Sequence, residues 1–224
     1  MRGPIASVGS ATSTPAFPWP AVGRDPYGEA VDHDDLYDDE PPPSLGIVVD
    51  DDRGSLPYHL VHGEALVAAA AWALGEAGVT LVDQSVPWAS VRDSGETLVL
   101  HDSLCPLTPP DFIAACVARS VADDVAVVGV RPVTDTVKQV TDDLVGATLD
   151  REGLLVVCSP VVLPPSAVAS LDSLPTTDFT ELVVLLRERG DVVLVEAPSG
   201  AMRVTSDDDV RVLEALGQEP LGQA

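Results

Sequence analysis

The sequence predicts a three-layer α/β fold built on a mostly parallel sheet, with an antiparallel β-arm. Short aliphatic runs, typical of strands buried on both faces, alternate with alanine- and leucine-rich stretches typical of helices. Strand–helix–strand repetition of this kind forms a parallel sheet with right-handed crossovers and helices on both faces. Between residues 136 and 157, three β-like pieces follow one another with no helix between them, which indicates the antiparallel excursion.

Aliphatic runs bounded by turn residues predict the strands of the sheet. Each run is short and consists largely of valine, leucine and isoleucine, as expected of strands in the interior of an α/β domain. The predicted strands lie at residues 45–49, 79–82, 97–100, 125–130, 191–195 and 202–205.

Capping residues mark the ends of the predicted helices. Gly78 follows the first helix, as glycine often does at a helix C-terminus. Thr108 is a candidate N-cap, with Pro109 in the first helical position. Ser206 and Asp209 stand in capping-box positions before the last apolar stretch. The predicted helices lie at residues 64–77, 108–121, from 164 onward, 176–189 and 206–216.

Composition changes sharply near residue 45. Residues 1–44 are rich in proline and acidic side chains and poor in aliphatic ones. Such a segment cannot bury enough apolar surface to offset the entropy lost on ordering. We therefore predict a disordered tail at 1–44, a single α/β domain at 45–217 and a short C-terminal tail at 218–224.

The charge of the chain excludes several classes of partner. It has 36 acidic and 12 basic side chains and a formal net charge of −24. Phosphate backbones and anionic membrane surfaces repel such a chain, so neither nucleic acid nor a membrane is an expected partner. The three cysteines are unclustered, no apolar run reaches the length of a membrane span, and no signal-peptide pattern is visible. We predict a cytoplasmic protein, and the preference for arginine over lysine suggests a GC-rich bacterial source.

Four segments carry a resemblance to a known family. They are LVLHDSLCPL at 98–107, RPVTDTVK at 131–138, LDREGL at 149–154 and MRVTSDDD at 202–209. In this order and spacing they resemble 2-C-methyl-D-erythritol 4-phosphate cytidylyltransferases, whose patterns are VHDAARPL, PVxDTxK, VDRxGL and KVTxPxDL. The similarity covers about residues 45–217 and is clearest after Leu98.

The resemblance implies a Rossmann-like nucleotide-diphospho-sugar transferase fold. It also implies a homodimer formed through an arm at 136–154, and a reaction in which a substrate phosphate attacks the α-phosphate of CTP. The expected products are CDP-methylerythritol and pyrophosphate, in isoprenoid precursor synthesis, with Mg²⁺ as the cofactor. The implied partners are CTP and a sugar-alcohol phosphate.

The resemblance also assigns roles to individual residues. Asp102 corresponds to the aspartate near the metal and CTP, and Arg203 stands in the place of a catalytic or phosphate-binding lysine. Arg53 and Gly54 are what remains of the nucleotide loop. The implied substrate-binding residues are Asp135, Thr136, Lys138 and Arg151.

The sequence departs from the family pattern where the triphosphate is held. The family has a glycine- and arginine-rich loop ending in Pro-Lys, whereas this chain has three aspartates at 50–52 and no lysine after Pro57. Each close like-charge pair costs roughly 1 kcal/mol even in a high dielectric, although a bound Mg²⁺ would reverse the sign. Cys105 takes the place of an arginine, and the segment between Val82 and Thr97 is shorter than in the family.

Structural interpretations stand beside these functional ones. Asp102 could cap a turn, and His101 is more readily a packed strand-end histidine than a general base. Lys138 could pair with Asp142 or Asp143, and Arg151 and Arg203 could form surface ion pairs. Zinc bound by His59, His62 and Glu64 matches no strong motif, and the aspartates at 50–52 are better explained as a solvated turn than as a metal site.

Two functional hypotheses of different class follow. The first is a cytidylyltransferase-like enzyme with a degraded nucleotide site. The second is a catalytically inactive homologue that keeps the fold and the dimer arm and serves as a binding or regulatory protein.

Overall fold

The computed structural model describes residues 41–216. The predicted tail at 1–44 lies outside this range except for its last four residues, and the predicted tail at 218–224 lies outside it entirely. The strands are β1 (Ser44–Val49), β2 (Leu60–Val61), β3 (Glu64–Ala65), β4 (Thr80–Leu81), β5 (Thr97–Asp102), β6 (Ala126–Pro132), β7 (Lys138–Thr141), β8 (Leu144–Thr148), β9 (Leu155–Leu163) and β10 (Val192–Glu196). The helices are α1 (Leu66–Glu76), α2 (Trp88–Ser94), α3 (Pro110–Asp123), α4 (Pro165–Ala169), α5 (Phe179–Arg187) and α6 (Asp207–Leu216).

A six-stranded sheet in the order β10-β6-β9-β5-β1-β4 forms the centre of the domain. Strand β9 runs antiparallel to both of its neighbours, and the other pairings are parallel. Strands β7 and β8 form a separate antiparallel hairpin, and β2 and β3 form another. The predicted α/β class and the antiparallel arm are therefore confirmed.

Alternate residues of the strands fill a core on each face of the sheet. On one face, Leu98 and Leu100 of β5 pack with residues of α4 and α5, including Leu182. On the other, Val99 packs with residues of α1 and α3, including Ile113. This division is the three-layer arrangement expected when strands have two apolar faces. In the described part of the chain, no helix combines the length and apolar character required to cross a bilayer.

A buried polar contact joins β5 to the antiparallel strand β9. His101 Nδ1 lies 2.6 Å from Ser159 Oγ, which also accepts a hydrogen bond from the Asp102 N–H at 2.9 Å. His101 and Ser159 are fully buried. Burial favours the neutral imidazole and lowers the pKa of His101 to about 4, although the nearby Asp102 raises it. The interpretation of His101 as a packed strand-end residue is confirmed.

Some predicted details are wrong, and each has a local reason. Thr108 does not cap α3, because its hydroxyl donates to the Cys105 carbonyl at 2.8 Å and the helix begins after Pro109. Residues 202–205 form no strand, because this segment bonds to the Leu104 carbonyl through Val204 N instead of joining the sheet. Helix α2 was not predicted, since its seven residues show little periodicity.

A glycine in β6 offers a test of strand packing. A Cβ at Gly129 would lie 2.6 Å from the Ser159 carbonyl oxygen, which is backbone and cannot rotate away. We expect Gly129→Ala to lower the free energy of unfolding by about 1–3 kcal/mol. Gly75→Ala is the matched control, because Gly75 lies in α1 with open space around it and alanine should stabilise by about 0.5–1 kcal/mol. Urea unfolding of both variants measures the difference, and equal effects would contradict the packing argument.

The buried histidine predicts a pH dependence of stability. The unfolded chain protonates His101 near pH 6.5, whereas the folded pKa is about 4. Stability attributable to His101 is therefore complete above pH 6.5 and is lost as the pH falls toward 4. We expect wild type to lose about 2 kcal/mol more than His101→Gln between pH 7.5 and 5, because the carboxylates titrate alike in both proteins. Urea unfolding at the two pH values measures this difference. If wild type and His101→Gln lose the same free energy of unfolding, His101 is not the cause of the pH dependence.

Candidate functional site

A cavity of about 280 Å³ lies beyond the ends of the parallel strands, where ligands of open α/β sheets are found. Asp102, the last residue of β5, reaches it, together with Arg53 from the turn after β1 and Arg203 from the segment after β10. The remaining wall comes from residues 155–157 of β9 and from residues 178–180 at the start of α5. The fold thus brings together three residues that the sequence placed in one site. It adds two wall segments, 155–157 and 178–180, that the sequence did not place there.

The Asp102 carboxylate is held between the two arginines. Its Oδ1 atom lies 3.1 Å from Arg53 Nε, and its Oδ2 atom lies 2.9 Å from Arg203 Nε. Oδ1 also accepts a hydrogen bond from the Leu104 N–H at 3.0 Å. The Asp102 side chain is 3% exposed, so its carboxylate is largely removed from solvent. Charge-assisted hydrogen bonds from the two arginines stabilise the buried charge.

Arg53 is committed to protein acceptors. In addition to Asp102, it donates from Nη1 to the Asp51 carbonyl at 3.1 Å and from Nη2 to the Thr177 carbonyl at 2.9 Å. Its side chain is only 8% exposed. Arg53 therefore ties the turn after β1 to the segment before α5. Gly54, predicted with it to bind nucleotide, is exposed with a φ of +62° and does not line the cavity.

The acidic turn at 50–52 is partly ordered by polar neighbours. Asp50 accepts hydrogen bonds from Gln84 Nε2 at 2.7 Å and from the Tyr58 hydroxyl at 3.3 Å. Asp51 and Asp52 are exposed, and Asp52 has a φ of +59°, which aspartate tolerates better than most residues. The turn presents carboxylates at the end of β1, in agreement with its interpretation as a solvated acidic turn.

Arg203 is the cation that remains available in the cavity. Its side chain is 32% exposed, and its terminal nitrogens make no hydrogen bond to any residue within 41–216. The backbone around it is fixed, because Val204 N donates to the Leu104 carbonyl at 2.7 Å and Gly200 packs closely against the Leu107 carbonyl. The alternative of a surface ion pair is wrong for Arg203, whose partner is the buried Asp102.

The four predicted substrate-binding residues lie on or beside the arm. Asp135, Thr136, Lys138 and Arg151 are exposed, and none of them lines the cavity around Asp102. Arg151 donates to the Thr134 carbonyl, and Lys138 bonds to the Thr148 hydroxyl and not to the aspartates at 142 and 143. Thr136 and Arg151 border a separate concavity with residues 148–150. Their role in binding remains a prediction.

The other polar candidates do not form a metal centre. His59 Nδ1 lies 2.7 Å from Asp207 Oδ1, so it is paired with α6. Over residues 41–216, no group of three or more histidine, cysteine, aspartate or glutamate side chains is arranged to hold a metal ion. Cys105 is fully buried, and burial raises the pKa of its thiol well above the usual value. A Cys105 nucleophile is therefore disfavoured.

Two parts of the site were missed from the sequence. The Ser159 hydroxyl accepts a hydrogen bond from the Asp102 N–H, and a lone serine in a strand gives no sequence signal of this contact. Thr177 lies at the start of the helix predicted at 176–189, but the role of its carbonyl as an arginine acceptor carries no sequence signal. Asp178 caps α5 by accepting from Thr180 N and Glu181 N.

Comparison with known proteins places these features in a family. The sequence model described as 2-C-methyl-D-erythritol 4-phosphate cytidylyltransferase (IspD) matches residues 76–218. The enzyme of that name from Corynebacterium diphtheriae is 32% identical over 168 residues, which cover 72% of this chain and 63% of that protein. A bifunctional enzyme IspD/IspF from Clavibacter michiganensis is 33% identical over 169 residues, covering 70% of this chain and 41% of that protein. The chain thus matches less than two thirds of the length of either relative.

Solved structures agree on the fold. The crystal structure of 2-C-methyl-D-erythritol 4-phosphate cytidylyltransferase from Thermus thermophilus superposes with a TM-score of 0.58 at 22% identity, over 80% of this chain and all of that chain. At this identity the likeness concerns the fold alone. The match of the family's sequence model, which spans more than half of the chain, carries the assignment. The chain belongs to the 2-C-methyl-D-erythritol 4-phosphate cytidylyltransferase family.

Proposed function

We propose that this family member binds a single phosphate ester in the Asp102 cavity and does not transfer cytidylyl groups. One observation supports the proposal above the others. Arg53, the cation that stands in the position of the nucleotide loop, donates all of its hydrogen bonds to Asp102, Asp51 and Thr177. Three of its five N–H donors are used in this way, and its side chain is only 8% exposed, so little of this guanidinium is accessible to a triphosphate.

The charges around the cavity support the same conclusion. The charged residues that line the cavity are Asp102, Asp178, Arg53 and Arg203, which together carry no net charge, and Arg203 is the more exposed of the two arginines, at 32% against 8%. A nucleoside triphosphate brings about four negative charges, and phosphoryl transfer relies on cations placed around them. The exposed carboxylates of Asp51 and Asp52 add repulsion at the end of β1. A single phosphate, in contrast, matches the one available arginine.

A second candidate function is cytidylyl transfer itself. It is favoured by the convergence of Asp102, Arg53 and Arg203 on one cavity at the strand ends, where the resemblance places the transferred phosphate. In that case the substrates would be CTP and methylerythritol phosphate, with Mg²⁺ as the cofactor. The two candidates differ in whether the chain binds CTP at all.

Titration and turnover measurements separate these candidates. We expect no heat of binding with CTP and Mg²⁺ at millimolar concentration. We also expect pyrophosphate release from CTP and methylerythritol phosphate no faster than with Asp102→Asn, since the triphosphate lacks a cationic cradle. Release that is faster in wild type than in Asp102→Asn would establish the enzyme instead.

The binding half of the proposal has its own test. Methylerythritol phosphate without CTP should bind, and Arg203→Gln should weaken that binding at least tenfold because it removes the more exposed of the two cavity arginines. Arg211→Gln is the matched control, since Arg211 lies on α6 and pairs with Asp208 at the surface. Equal affinities for the two variants in calorimetry would place the ligand elsewhere.

Exposed apolar residues on the β7–β8 arm support a further part of the proposal, which is that the protein forms a homodimer. Leu144 and Val145 are 74% and 72% exposed, and Val140 beside them is also exposed. A hairpin of β7 and β8 whose apolar residues face water is only marginally stable alone and is expected to be covered. We propose that a second copy covers it through residues 136–154.

Light scattering after size exclusion tests this arrangement. We expect wild type to elute as a dimer and Leu144→Asp/Val145→Asp to elute as a monomer, because two buried charges would oppose the interface. Val121→Asp on α3 is the control, since Val121 is exposed outside the arm. A dimer that persists in the arm variant would place the interface on another surface.

A further inference from the structure

We infer that Arg53 takes the place of a divalent cation at Asp102, so that the cavity binds its phosphate ligand without metal. The inference rests on the proposed function and specifies its chemistry. The resemblance implies that Asp102 holds Mg²⁺, and the geometry of the carboxylate does not fit that role.

Both oxygens of Asp102 are already engaged. Oδ1 receives Arg53 Nε at 3.1 Å and the Leu104 N–H at 3.0 Å, while Oδ2 receives Arg203 Nε at 2.9 Å. Magnesium requires oxygen ligands at about 2.0–2.1 Å in near-octahedral geometry. A cation at that distance from Oδ1 would displace one of its two donors, and a cation on the remaining lone pair of Oδ2 would lie beside the positive charges of Arg53 and Arg203.

Arg53 cannot easily move aside. Its three hydrogen bonds lead to β5, to the turn after β1 and to the residue preceding the N-cap of α5. Because its side chain is 8% exposed, releasing it would leave the carbonyls of Asp51 and Thr177 without this donor. The arginine is part of the packing of the site and not a flexible surface group.

The neighbouring carboxylates are also partly engaged. Asp178, the other acidic residue of the cavity wall, uses Oδ1 to accept from Thr180 N and Glu181 N at the start of α5, which leaves only its Oδ2 atom without a hydrogen bond. Asp50 is engaged by Gln84 and Tyr58. In the described residues no three carboxylate, histidine or cysteine side chains are grouped to hold a metal ion, so the protein offers Asp102 no preformed coordination site.

The same arrangement leaves a direct phosphate contact. Arg203 is held by Asp102 through Nε, which orients its terminal nitrogens without occupying them. Arginine binds phosphate oxygens well in this geometry, because its planar donors match two oxygens at once. Leu155, Val156 and Phe179 form apolar walls suited to a short carbon chain. The ligand class is therefore a small phosphate monoester, bound as the free anion.

Manganese binding followed by electron paramagnetic resonance tests the exclusion of metal. We expect wild type and Asp102→Asn to bind Mn²⁺ identically, since only surface carboxylates would contribute. A Mn²⁺ site in wild type that Asp102→Asn abolishes would overturn the inference.

Glycerol 3-phosphate, used as the probe, tests the metal-free binding. We expect its affinity to change less than twofold when Mg²⁺ is replaced by a chelator, and to fall at least tenfold in Arg203→Gln but not in Arg211→Gln. Affinity that disappears with the chelator would contradict the inference. The pyrophosphate assay keeps the two proposals separate, because metal at Asp102 without turnover overturns only the inference, whereas turnover overturns the proposed function.

Discussion

The ion-pair bridge from Arg53 through the Asp102 carboxylate to Arg203 connects the segments that surround the cavity at the ends of the parallel strands. It joins the turn after β1, the end of β5 and the segment after β10, and Arg53 extends it to the start of α5. Burying the Asp102 carboxylate is costly, and the cost is tolerable because each of its oxygens has a guanidinium partner. Removing Asp102 would leave the two guanidiniums without their shared counter-ion, so the bridge constrains both the shape and the chemistry of the cavity.

The same bridge is the basis of the function proposed for this family member. The Arg53 guanidinium is paired with Asp102 inside the protein, and the turn after β1 carries exposed carboxylates. The more exposed cation of the cavity is Arg203, which Asp102 orients. Binding one phosphate requires no more than that, whereas in-line transfer requires several cations acting together.

The antiparallel strand β9 contributes both to the core and to the cavity wall. Its buried half packs between β5 and β6 and supplies Ser159, whose hydroxyl holds the Asp102 backbone and contacts His101. Its exposed half borders the cavity and continues from the β7–β8 arm. The arm and the cavity wall are thus connected through one continuous strand.

The sequence alone determined the fold class, most strands and helices, and the family. Aliphatic runs such as 125–130, bounded by turn residues, indicate buried strands, and the helix predicted at 176–189 contains α5. The motif at 131–138 and its companions carried the family resemblance. Only the tertiary structure decided that Arg53 turns inward to Asp102, that Thr108 bonds backward and that residues 202–205 leave the sheet. The physical reason is that an ion pair or a strand pairing is chosen among partners distant in sequence, and local propensity does not reveal which partners the sheet brings together.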